Sequence, residues 1–201
     1  MTHSRGESDL LTIAIIGAGP LGRRLALAAA RAGIRVLLED VMPAALHHAQ
    51  EYIRQELNPA MREGVAAQIE FVASIEDAVR DADLVIDCVP DELESKLEIL
   101  WLLDRMSPPR TVIATPTTQL SIGDLAGCTY RPEKCIAIVA EARELSEGLG
   151  SELWLQTTVR TSTETLELME KFWRRLGVDI HFEVEQQARS SQAVEPLPSA
   201  S

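Results

Sequence analysis

Aromatic residues are scarce in this 201-residue chain: Trp, Tyr and Phe together make up 4% of it. The core must therefore be aliphatic, drawn from the Leu, Ile, Val and Ala of a 46% hydrophobic composition. Basic residues are short too, 19 Lys and Arg against 31 Asp and Glu, for a net charge of −12. That balance disfavours nucleic acid, whose phosphates need clustered Lys and Arg, and equally an anionic membrane surface. Cys88, Cys128 and Cys135 are odd in number and lack CxxC spacing, which fits reduced thiols better than a disulfide framework or a zinc site. No apolar run approaches the ~20 residues of a membrane helix, and Met1–Asp9 lacks the apolar stretch of a signal peptide. A cytoplasmic location is the default expectation, with neither nucleic acid nor membrane as partner.

What the chain does have is regular alternation of apolar runs and amphipathic segments. Thr12–Ile16 reads as a buried parallel strand ending at Gly17, because a strand covered on both faces shows no polar alternation. Leu21–Ala32 is an Ala- and Leu-rich helix stopped by Gly33. Arg35–Glu39 is a second strand, and Pro43, suited to a first helical turn, opens a helix to about Leu57. Further strands are expected at Ile69–Val72, Leu84–Cys88, Thr111–Thr115, Cys135–Val139 and Leu153–Val159, with helices near Ile75–Arg80, Leu93–Met106 and Ser121–Leu125. Thr161 and Glu164 form a capping box for a helix ending at Arg175. In the last strand, Val178–Val184, apolar residues alternate with Asp179, His181 and Glu183.

Strands alternating with helices imply a mostly parallel sheet covered on both faces. Right-handed crossovers then make a single-domain, doubly wound α/β fold of Rossmann type. The domain spans residues 11–185, between an N-terminal tail (1–10) and a Gln-, Ser- and Pro-rich tail (186–201) read as disordered.

Gly17-Ala18-Gly19-Pro20-Leu21-Gly22 is a GxGxxG set between the first strand and the first helix. The first glycine permits the tight turn, the second lets the backbone approach a pyrophosphate, and the third lets helix pack on strand. Asp40, 23 residues after Gly17, is placed to accept hydrogen bonds from the adenosine ribose hydroxyls. Glu39 and Asp40 together would repel a 2′-phosphate, so NAD is favoured over NADP. Arg23 and Arg24 argue the other way unless they face solvent.

Beyond the loop, Ala82-Asp83-Leu84-Val85-Ile86-Asp87-Cys88-Val89-Pro90-Asp91-Glu92-Leu93 with Lys96, Leu120-Ser121-Ile122, and Arg131-Pro132-Glu133-Lys134 resemble the NAD-binding domain of 3-hydroxyacyl-CoA dehydrogenases. The likeness covers about residues 11–185. It implies that Val89 lines the nicotinamide-side ribose and that Asp91 and Lys96 border the cofactor edge. It also implies hydride transfer to or from the 3-hydroxyl carbon of an acyl-CoA, with a His as general base and a Glu that orients it. The residues at those positions differ. The His falls at Val139, the Glu at Trp154 or Leu155, and an Asn of the substrate-side segment at Pro116, leaving Thr118 as the hydroxyl near the substrate oxygen. The chain also ends where that family begins its helical second domain.

The reading is thus an NAD-binding module without the family's turnover, alone, as a homodimer covering exposed apolar surface, or with a partner protein. The alternative is an active oxidoreductase on another hydroxy substrate, with Thr118 or Glu141 at the reaction centre. Glu141 and Glu144 otherwise read as part of a solvated acidic loop, Glu141–Glu152. His47 and His48, adjacent on a helix, make a poor metal pair. Trp101, Phe172 and Trp173 are read as packing residues, and so is Trp154, with a place near the vacated substrate side as its alternative.

Overall fold

The computed structural model describes residues 11–185 apart from 58, 60, 61 and 141; the two tails lie outside the described residues. In chain order the elements are β1 (Thr12–Ile16), α1 (Pro20–Arg31), β2 (Arg35–Glu39), α2 (Pro43–Glu56), α3 (Arg62–Ala66), β3 (Ile69–Val72), α4 (Ile75–Val79) and β4 (Leu84–Asp87). There follow α5 (Leu93–Met106), β5 (Val112–Pro116), α6 (Ile122–Gly127), β6 (Cys135–Val139), α7 (Ala142–Glu147), β7 (Glu152–Thr157), α8 (Thr163–Arg175) and β8 (Asp179–Val184). They form one eight-stranded sheet in the order β3-β2-β1-β4-β5-β6-β7-β8. The first six strands are parallel; β7 runs antiparallel to β6, and β8 parallel to β7. This is the doubly wound, mostly parallel sheet expected from the alternating pattern.

The aliphatic composition fills two cores, one on each face. Ile13, Ile15, Leu38, Ile86 and Ile138 point to one core together with Leu25 of α1 and Phe172 and Trp173 of α8. Ala14, Ile16, Val85, Ile113 and Ala137 point to the other, beneath Ile99 and Leu103 of α5 and Leu125 of α6. Alternate residues of one strand thus serve opposite cores, which is why these strands carry almost no exposed side chain. Phe172 and Trp173 meet edge to face, ring centres 5.0 Å apart, and burying each contributes roughly 1.5–3 kcal/mol.

Four local expectations are corrected. The N-cap of α8 is Ser162, whose side chain accepts the Thr165 N–H; Thr161 instead turns back to accept the Thr158 N–H at 2.9 Å. The stretch expected as an acidic loop contains α7, because Leu145 and Leu149 pack into the first core. Trp101 does not pack: it is exposed on α5, with the Arg105 guanidinium 4.7 Å from its ring centre. The alternating face expected for β8 is not buried: on this edge strand only Ile180 is half-buried, and Phe182 and Val184 are exposed.

Because β1 is flanked by β2 on one side and β4 on the other, the chain leaves β1 in one direction and returns to its far side after β3. The connections therefore diverge above the C-terminal ends of β1 and β4, opening the crevice in which doubly wound sheets hold ligands. No described helix is long and apolar enough to cross a membrane.

Candidate functional site

The glycine loop lies at that crevice. Gly17 has φ +103 and its N–H donates to the Glu39 carbonyl at 2.8 Å, tying the turn to β2. A Cβ on Gly22 would stand 1.8 Å from the Gly17 carbonyl oxygen, so only glycine lets α1 start this close to β1. A Cβ on Gly19 would meet nothing within 4 Å. Its bareness opens space rather than relieving a clash, as expected where a pyrophosphate approaches the backbone. Pro20 occupies the first turn, Leu21 is buried beneath it, and no side chain caps the helix or places an acid there. The leading N–H groups and the positive end of the helix dipole are thus left for an anionic ligand.

Asp40 stands across the loop. Its Oδ2 accepts the Ala18 N–H at 2.9 Å and its Oδ1 the Met42 N–H at 2.8 Å, which fixes the carboxylate at the mouth of β2 with lone pairs to spare for ribose hydroxyls. Glu39 does not share this position. It is 2% exposed, lies in register with Ile16 and Val72, and its Oε1 has no hydrogen-bond partner. Burial, aided by the neighbouring Asp40 charge, pushes its pKa up to about 7. Repulsion of a 2′-phosphate therefore falls chiefly to Asp40. Arg23 stacks on the Tyr52 ring at 4.7 Å and the Arg24 guanidinium donates to the Ser146 carbonyl. Both arginines are half-buried rather than solvent-facing.

On the far side of the crevice is the β4–α5 turn. Val89 is half-buried and lines a cavity of about 280 Å³ with Pro90, Ser95 and Ile99. Asp91 reaches across to the next turn, its Oδ2 accepting the Thr118 N–H at 3.1 Å. Thr118 itself is exposed, while Thr117 closes its own turn by accepting the Gln119 and Leu120 N–H groups. Lys96 is turned inward: it is 1% exposed, and its Nζ donates to Oδ1 of the fully buried Asp87 at 2.6 Å. Burial raises the Asp87 pKa and Lys96 opposes that rise. From sequence, Asp87 has no role beyond its place in the strand Leu84–Cys88 and in the stretch that carries the family resemblance. A charged residue interrupting an apolar run, nine residues before a lysine, was the available signal.

Val139 and Trp154 are partners across the antiparallel β6–β7 ladder. Leu155, on the opposite face, is fully buried, so Trp154 is the one that shares Val139's face. Trp154 does not pack as expected; it is half-exposed and stacks on His181 with ring centres 4.8 Å apart. Glu141 lies outside the described residues. His47 and His48 are both exposed, and among the described residues no group of three or more His, Cys, Asp or Glu could hold a metal.

Known proteins fit this geometry. Residues 12–139 match the family described as "3-hydroxyacyl-CoA dehydrogenase, NAD binding domain". The probable 3-hydroxybutyryl-CoA dehydrogenase of Bacillus subtilis is 28% identical over 179 residues, covering 81% of this chain and 60% of that protein. The 3-hydroxyadipyl-CoA dehydrogenase of Escherichia coli is 33% identical over 134 residues, covering 63% of this chain and 28% of that protein. The crystal structure of (S)-3-hydroxybutyryl-CoA dehydrogenase from Ralstonia eutropha superposes with a TM-score of 0.79 at 24% identity, over 88% of this chain and 64% of that one. The chain thus spans less than two thirds of each of these relatives. The glycine loop, with open space at Gly19 and a fixed acid at Asp40, suits the dinucleotide those matches imply, and the chain belongs to the 3-hydroxyacyl-CoA dehydrogenase family through its NAD-binding domain, with NAD as its cofactor.

Proposed function

We propose that this chain is a cofactor-binding module that holds NAD across the β1–β4 crevice without oxidising 3-hydroxyacyl-CoA. In this reading Gly17, Gly19, Pro20, Leu21 and Gly22 seat the pyrophosphate and Asp40 takes the adenosine ribose. Val89 and Asp91 form the nicotinamide side, while Lys96, expected at the cofactor edge, is turned inward onto Asp87 and does not border it. When bound, NAD would supply the hydride-accepting ring; the residues that would move the substrate proton are the ones in question.

One observation carries the proposal. The positions at which the resemblance places the general base and its carboxylate partner are facing residues of one ladder, and they are Val139 and Trp154. Neither side chain exchanges a proton with a substrate, and loss of a general base alone typically forfeits ~10²–10⁴-fold in rate. Pro116, at the end of β5, likewise offers no polar side chain. The test pairs calorimetry with an assay. NAD is expected to bind, and no NAD reduction is expected with 3-hydroxybutyryl-CoA. Turnover at the rate of a working dehydrogenase overturns the reading.

A second reading rests on Thr118, exposed on the turn that Asp91 holds. It would make the chain an oxidoreductase on a different hydroxy substrate, with Thr118 or Glu141 at the reaction centre. NAD reduction with some hydroxy acid or alcohol, abolished by Thr118→Val or Glu141→Gln, would support it. The exposed apolar side chains of Val139, Trp154, Phe182 and Val184 favour a homodimer or partner protein at the β6–β8 end. A monodisperse monomer in sedimentation removes the homodimer.

A further inference from the structure

The adenosine half of a dinucleotide is accounted for by the glycine loop and Asp40, which lie over β1 and β2. The sheet order then puts the other half over β4 and β5, where the nearest backbone is the turn 88–95. That turn presses on the glycine loop: a Cβ on Gly17 would come 3.3 Å from the Cys88 carbonyl oxygen, and the Cys88 N–H donates to the Ile16 carbonyl at 2.7 Å. Its two ends are the fully buried Asp87 and the buried Lys96, joined at 2.6 Å. Its middle, Asp91, is anchored on Thr118.

A buried ion pair is poor ballast for a fold. Taking two charges out of water costs about as much as their attraction returns, and apolar residues of similar volume are often as good or better. Besides Lys96, the Thr115 hydroxyl and the Val89 backbone also favour the charged form of Asp87, Thr115 standing one step beyond the last β4–β5 pair, Ile86 and Ala114. What the pair does supply is direction, because Lys96 in the first turn of α5 holds Oδ1 of Asp87 and so ties together the two ends of the intervening turn.

We infer that Asp87 and Lys96 are positioning residues for the nicotinamide half of the cofactor: their pairing sets the turn 88–95, and through it Val89 and Asp91, without touching the adenosine half. This rests on the reading that NAD lies across the β1–β4 crevice.

The experiment compares NAD with ADP, which carries the adenosine and two phosphates but no nicotinamide riboside. The double variant Asp87→Leu with Lys96→Met removes both charges together. Calorimetry should show NAD binding weakened about tenfold or more, with ADP binding within twofold of the parent chain. Unchanged affinity for both ligands overturns the inference, and so does an equal loss of both, which would make the pair a support of the whole domain. If the double variant does not fold, hydrogen–deuterium exchange on the parent chain decides. NAD must protect the amides of residues 88–95 more than ADP does, and equal protection overturns the inference. A parent chain that binds ADP but not NAD, or binds neither, strikes the cofactor reading itself.

Discussion

Asp40 accepts the Ala18 N–H through Oδ2 at 2.9 Å, so the acid proposed to take the ribose also grips the loop proposed to take the pyrophosphate. In the proposed function both halves of adenosine diphosphate recognition therefore depend on one side chain. Asp40→Ala should weaken NAD binding by about ten- to a hundredfold, since hydrogen bonds to a charged group are worth ~1.5–3 kcal/mol. Asp40→Asn keeps an acceptor for Ala18 while losing the charge. It should therefore recover part of that loss and narrow the preference for NAD over NADP. Titration of both variants with both cofactors checks this; equal NAD affinity in Asp40→Ala and the parent would detach the acid from the site.

Gly19 and Gly22 separate binding from folding. A methyl at Gly22 would sit 1.8 Å from the Gly17 carbonyl oxygen, whereas one at Gly19 would meet no protein atom within 4 Å. Gly22→Ala should therefore lower the thermal midpoint markedly, because the clash is with backbone; overpacking of this kind typically costs ~1–3 kcal/mol. Gly19→Ala should leave the midpoint within a degree or two and still weaken NAD binding, its methyl occupying the space left for the pyrophosphate. Thermal melts and titration on the two variants give the comparison.

These glycines were legible in the sequence because their spacing is set by covalent geometry close in the chain. So were the strands of the central sheet, whose buried faces are apolar but for a few residues such as Glu39, Asp87 and Thr115. The β7 and β8 strands were legible as strands, but not that they form one end of the sheet, with β7 reversed against β6 and β8 exposed at the edge. Direction within a sheet depends on the crossover, which leaves no periodic trace. Lys96 and Glu39 show the same limit. Each looks like an exposed charge in sequence, yet tertiary packing buries both, and only the fold reveals that one has an aspartate for company and the other an unpartnered oxygen. Trp154 is expected from sequence either to pack or to stand near the vacated substrate side; an uncovered face of β7 leaves it half in solvent beside Val139.

Glu39 makes stability depend on pH. Its pKa in the fold is raised from 4.5 to about 7 by burial and by Asp40. A carboxyl with a raised folded pKa favours the fold in its protonated form. Its contribution is therefore fully present below about pH 4.5 and lost as pH rises through about 7. Glu39→Gln, which cannot ionise, should be more stable than the parent at pH 8, by an upper bound on the order of 3 kcal/mol. The gap should close as pH falls toward 4.5. Denaturant melts of both proteins across that range measure it. A gap independent of pH would show that the carboxyl is not titrating in the fold.

The cross-strand pair Val139 and Trp154 allows the proposed loss of proton-transfer chemistry to be tested by restoration. Directly opposed residues of an antiparallel ladder have Cα atoms roughly 4.5–5.5 Å apart, close enough for an imidazole and a carboxylate to meet. With Val139→His alone, the new imidazole stands at a partly exposed strand end and should titrate near the ordinary histidine value of about 6.5. Adding Trp154→Glu places an anion beside it, which favours the imidazolium and should raise that pKa by about one unit. An NMR titration of the new histidine in the single and double variants reads the difference directly. With a base and its orienting partner in place, NAD reduction by 3-hydroxybutyryl-CoA should rise by ~10²-fold or more above the parent background, the usual contribution of a general base. A raised pKa with no gain in turnover would place the missing chemistry at the substrate-side positions led by Pro116, and not at the base.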